Sequence, residues 1–164
     1  MTDLVNRFTA FIDAPVHAVF EYCGDPRKIY AGDPIRTVTE VSVTPEGVGT
    51  TARVLERVNF FVTWDIALEY VEVSQDERLV FDARPKLRIR GLGRPLLSPA
   101  VHSWTWTFDP EDGGTRLNLL VVERDPAWWD GAATLLEARV FSREVSSRLS
   151  RIKAAVETQG ARVG

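Results

Sequence analysis

The chain has 164 residues, 45% hydrophobic and 26% charged, with a net charge of −3. This is the balance of one globular domain, taken as residues 1–164, large enough to bury a core and too acidic for nucleic acid to be its main partner. A lone cysteine, Cys23, excludes an intramolecular disulfide and a cysteine metal cluster; with no apolar run near the ~20 residues of a bilayer span and no signal-peptide core, a cytoplasmic protein is expected.

Residues 5–12 predict a first strand. Asp13-Ala14-Pro15 opens a helix, because proline suits a first turn whose N–H is not needed and an acidic residue favours the positive end of the helix dipole. Val16, Val19 and Phe20 continue it at helical spacing, and Gly24 ends it. Asp25-Pro26 starts a second short helix through about Tyr30. Strands follow at 35–43, 50–58, 62–73 and 78–84, separated by glycine-rich or polar turns such as Pro45-Glu46-Gly47-Val48-Gly49. Residues 85–99 break the pattern with four basic residues, two glycines and three prolines. Strands resume at 101–108 and 115–124 around the turn Asp109–Gly114. From Pro126 to Thr158, Trp128, Ala132, Leu135, Ala138, Phe141, Val145, Leu149, Ile152 and Val156 recur every three or four residues and predict one long amphipathic helix.

The order reads as an α+β domain: about six consecutive antiparallel strands joined by short turns, one face of the sheet covered by the C-terminal helix. Strand parity places side chains. His102, Trp104, Trp106 and Phe108 share one face, with Ser103, Thr105 and Thr107 opposite. Val62, Trp64, Ile66, Leu68 and Tyr70 share a face, as do Leu117, Leu119, Val121 and Glu123. A curved sheet wrapped on a single helix leaves space that the helix alone does not fill.

This order resembles the helix-grip fold of the START-like, Bet v 1-like superfamily, which includes polyketide cyclase/dehydrase and lipid-transport members. The residues that carry the likeness are Phe11–Tyr22, the Pro45–Gly49 turn, Trp104–Phe108 with Gly113-Gly114-Thr115, and the helix segment Ser147–Lys153. The resemblance implies a curved antiparallel sheet wrapped around the long C-terminal helix, two short helices after the first strand, and a deep, mostly apolar pocket between sheet and helix. It implies no shared cofactor. Members bind lipids, hormones or polyketides, and some catalyse cyclisation, aromatisation or dehydration. Trp64, Trp104 and Trp106 match by type and parity the pocket tryptophans of aromatic polyketide aromatase/cyclases; where those enzymes carry an inward arginine, this chain has Tyr70. The expected pocket wall is Trp64, Ile66, Leu68, Phe81, Trp104, Trp106, Leu119, Trp128 and Tyr30.

The candidate chemistry is acid/base. His102 begins the tryptophan strand, and the short turn between the last two strands sets it across from Glu123 or one position off. An imidazole titrates near neutrality and a carboxylate in an apolar pocket has a raised pKa, so the pair, with Tyr70, can move a proton. The bland alternative is an ion pair closing the sheet's mouth. Tyr22, Tyr30 and Tyr70 offer hydroxyls to a cavity or simply pack. Arg53 or Arg57 is a candidate inward anchor for an anion, Asp65, Asp82 and Arg84 read as solvated, and Cys23 as a small buried residue. Residues 86–94 are a lid, a contact to acidic lipid or a carrier protein, or a strand extension with a basic face. No His/Cys cluster has metal-ligand spacing, and no phosphate loop or serine elbow occurs. Two functions are consistent with these residues: a cyclase or dehydratase for a polyketide-like or aromatic substrate, with an acyl-carrier protein or a second copy as possible partner, and a non-catalytic carrier of a hydrophobic ligand. A protein-interaction module with a collapsed pocket is the third.

Overall fold

Alternating side chains build the sheet. In the computed structural model, which describes residues 3–93, 96–97, 101–124 and 130–160 (backbone alone for 96–97 and 130–139), β1 spans Leu4–Ile12 and is followed by α1 (Val16–Gly24) and α2 (Pro26–Ile29). Then come β2 (Arg36–Ser42), β3 (Thr51–Arg57), β4 (Val62–Ser74), β5 (Arg78–Ile89), β6 (Leu96–Leu97), β7 (Val101–Glu111), β8 (Gly114–Arg124) and α3 (Asp130–Gly160). Pro15 stands at the cap of α1, where its carbonyl accepts from the N–H groups of Ala18 and Val19. The Asp25 carboxylate caps α2 by accepting from the Arg27 N–H at 2.9 Å.

All pairings are antiparallel, in the order β1-β8-β7-β5-β4-β3-β2, with β6 paired to β5. The first strand therefore lies beside the last, Leu4 facing Glu123 and Ile12 facing Thr115. Register shifts between Val38 and Glu40 in β2 and between Tyr70 and Glu72 in β4 mark bulges, which bend strands and increase twist. Gly114 sits where the last hairpin meets β1: a Cβ there would stand 2.5 Å from the Ile12 carbonyl oxygen, so only glycine fits.

β5 runs five residues beyond its expected end, because Lys86–Ile89 continue the ladder with Val62–Asp65. Leu87 and Ile89 point inward and Lys86, Arg88 and Arg90 outward, so this half of the 86–94 segment is a strand extension. Pro85 falls in the gap between the end of the β7 pairing at Ala83 and the start of the β6 pairing at Lys86, where an N–H is dispensable. At the same end, Phe60 and Phe61 are exposed beside Arg90.

The helix α3 grips the inner face through Val145, Leu149, Ile152 and Val156, all buried against a core that includes Trp106, Phe81, Leu79, Leu117 and Leu119. Burying each such side chain stabilises the fold by roughly 1.5–3 kcal/mol.

Candidate functional site

Parity and register stack the inner face in rows. Tyr70, Phe81, Trp104 and Val121 form one row across β4, β5, β7 and β8. Phe81 stacks on Trp104 with ring centres 5.8 Å apart, and Trp104 meets Phe141 of α3 edge-on. The next row is Leu68, Ala83, His102 and Glu123, and beyond it come the pairs Ile66/Pro85 and Trp64/Leu87. Burial falls along this series. Leu79, Trp106 and Leu119 are closed off completely, whereas Trp64, Ile66, Pro85, Leu87, His102 and Glu123 are half-buried. Among the described residues, burial is thus complete toward the α1 end and partial at the end carrying His102.

His102 is directly opposite Glu123, its Nε2 3.8 Å from Oε1, with the two side chains 27% and 25% exposed. That separation exceeds a hydrogen bond. Burial pushes the imidazole's pKa below its ordinary value, so at neutral pH a neutral ring faces the carboxylate.

The remaining expected site residues divide. Trp106 and Leu119 are packed core, with no surface for a ligand. Leu68 and Phe81 are also buried, Phe81 between the rings of Tyr70 and Trp104. Trp104 keeps a sliver of exposure, and Tyr30 lies beneath the Arg148 guanidinium. Trp128 lies outside the described residues. Tyr70 is not part of the pair's chemistry: it is fully buried, one row and two strands away, and its hydroxyl donates to the Cys23 carbonyl at 3.3 Å. Burial raises its pKa well above the usual phenol value, so it stays protonated and engaged.

The polar residues also differ from expectation. Arg53 points outward, not into the pocket, because Ala52, Val54 and Glu56 hold the inner face of β3. Asp65 is not solvated: it is 5% exposed, clamped on the outer face by Arg53 and Arg88 at 2.6–2.7 Å. These hydrogen bonds, Arg53 foremost, hold its carboxyl below the usual range despite burial. Asp82 accepts from the Ser103 hydroxyl.

An ionic cluster that the sequence did not reveal lies between sheet and helix. Arg36 reaches Glu56, Glu144 and Asp33, and Arg151 donates to Asp33 at 2.7 Å. Burial pushes the Arg36 guanidinium down, but the three acids outweigh it and hold it above its ordinary value. Burial raises Glu56 in spite of Arg36. Arg148 lies alongside, 2% exposed. Its signal in the sequence is position: 145, 148, 149 and 152 follow the core-facing spacing of a helix, and 148 is the charged member.

Two depressions among the described residues lie elsewhere. One, about 370 Å³, is on the outer face around Arg53, Glu69 and Arg84; the other, about 220 Å³, lies between β1 and α3 around Phe8, Leu149 and Lys153.

The family described as polyketide cyclase / dehydrase and lipid transport matches residues 7–157. The chain belongs to this family. A search of curated proteins finds no match. Among solved structures, this polyketide cyclase/dehydrase family member is similar to protein NE0264 from Nitrosomonas europaea (TM-score 0.69, 16% identity, 96% of this chain and 97% of that one). It is similar also to TTHA0849 from Thermus thermophilus (0.65, 21%, 95% and 99%) and to Ara h 8.0201 (0.64, 13%, 96% and 99%). These likenesses establish the Bet v 1-like helix-grip fold: a curved antiparallel sheet, a long C-terminal helix and short helices after the first strand. No helix among the described residues is long and apolar enough to cross a membrane.

Proposed function

We propose that this family member binds a small hydrophobic molecule, polyketide-like or aromatic, between the inner face of the sheet and α3, and promotes its cyclisation or dehydration by acid/base chemistry at His102 and Glu123. The carrying observation is the placement of that pair. It stands opposite across β7 and β8, inward-facing and half-buried, at the less buried end of a face rich in aromatic and aliphatic side chains. Trp64 and Ile66 on the same face supply apolar surface for a substrate. In a dehydration, neutral His102 takes the proton from an acidic C–H bond, Glu123 steadies the imidazolium, and the proton returns to the departing hydroxyl, which leaves as water. Holding the chain folded against the rings supplies most of the remaining acceleration. On this reading the protein is a lyase-type cytoplasmic enzyme that receives its substrate free or from an acyl-carrier protein, alone or as a homodimer.

The neutral fluorophore N-phenyl-1-naphthylamine is expected to bind saturably and quench tryptophan emission; absence of saturable binding would overturn the pocket. With a synthetic poly-β-keto thioester as substrate, His102→Ala and Glu123→Ala are each expected to lower turnover by ~100-fold or more while leaving fluorophore affinity nearly intact. Full turnover in both variants would overturn the catalytic assignment.

A carrier without chemistry is the second reading. It draws on Tyr70, whose hydroxyl is committed to Cys23 and so supplies no third proton-moving group.

A further inference from the structure

We propose that Arg148 anchors a carboxylate on the hydrophobic ligand. This inference rests on the reading that a ligand binds between sheet and helix. Helical spacing sends the Arg148 side chain into the interior with Val145, Leu149 and Ile152, and it is 2% exposed there. Its guanidinium lies over two rings, 4.6 Å from the centre of Tyr30 and 5.2 Å from that of Trp104. Rings attract a cation through their faces, but they do not satisfy the N–H groups that radiate in the guanidinium plane. Nε and Nη1 are buried and have no hydrogen-bond acceptor among the described residues.

The neighbouring acids are already engaged. Glu56 and Glu144 accept from Arg36, and Asp33 accepts from Arg36, Arg151 and the backbone N–H groups of Ile35 and Arg36. Arg36 and Arg151 thus tie the sheet and the 33–36 segment to α3, and those acids are held without Arg148. A buried cation with unmet donors is a poor structural element and a good receptor, because an incoming anion gains charge-assisted hydrogen bonds without competition from water. Arginine's planar donor set matches a carboxylate in particular. Trp104 stands one row from His102 on the inner face that also carries the half-buried Ile66 and Trp64, so an apolar tail leaving the guanidinium has apolar surface on that face.

The test displaces bound N-phenyl-1-naphthylamine with two probes of equal tail, decanoate and decanol, near neutral pH. The wild-type protein is expected to bind decanoate at least ~10-fold more tightly than decanol, a preference of about 1.4 kcal/mol. Arg148→Met is expected to bring the two probes level, and Arg148→Lys to keep part of the preference. Equal binding of acid and alcohol by the wild type, which needs no variant to fold, overturns the inference and leaves the pocket standing; so does a preference that survives in Arg148→Met. If the fluorophore and both probes fail to bind, the pocket reading itself falls.

Discussion

His102 and His17 are the two histidines of the chain, and they pull stability in opposite directions with pH. Burial depresses His102, so the unfolded state takes its proton first; stability conferred by the neutral ring is present above the unfolded value of ~6.5 and declines as pH falls below it. His17 is raised, foremost by its 2.9 Å hydrogen bond to Asp76; its contribution is complete below the unfolded value and is lost as pH rises through the folded one. Denaturant unfolding of His17→Ala is therefore expected to show stability climbing as pH rises toward ~6.5, and that of His102→Gln stability falling as pH rises above ~6.5; the same direction of change in both variants would contradict this assignment. The pairing of His102 with Glu123 was legible in the sequence, because a short turn between alternating strands leaves little freedom of register. Arg148 was not. A charge inside an apolar stripe reads as a stray surface residue until the helix's neighbours are known, and the acids that surround it come from β3, from α3 itself and from the segment before β2.

Among the elements, β3, β4 and β5 are fastened on their outer face by one carboxylate. Asp65 takes hydrogen bonds from Arg53 on one side and Arg88 on the other. Asp65→Asn is expected to cost about 2 kcal/mol, the scale of hydrogen bonds to a charged group, read from chemical denaturation at neutral pH. Because the folded carboxyl titrates below its ordinary value, the wild type holds this stability above pH ~4 and loses it as pH falls through the folded value, whereas the asparagine variant lacks that slope. A variant as stable as the wild type at neutral pH would show the clamp to be idle. Alternation alone placed Asp65 on the correct face and failed on its burial, since the lid over it is made of arginine side chains from two other strands. β5 outran its expected end for a related reason. Pro85 and the run of basic residues look like loop chemistry locally, but the ladder to β4 and the outward turn of Lys86, Arg88 and Arg90 accommodate them.

For the whole molecule, the order of strands sets a timetable. β1 finds its hydrogen-bonding partner only in β8, more than a hundred positions later: Ile12 pairs with Thr115 and Leu4 with Glu123. α3, which buries the inner face, follows later still. β1 thus waits on the ribosome as an unpaired edge until β8 has emerged, while β2 to β5 can already pair as neighbours. Closing so long a loop before any reward arrives predicts slow refolding, roughly milliseconds to seconds, in contrast to the microseconds to milliseconds of helical bundles. A stopped-flow experiment reading tryptophan emission should find Phe8→Ala, on the inner face of β1, speeding unfolding far more than it slows refolding; the opposite partition would mean that the two ends meet first.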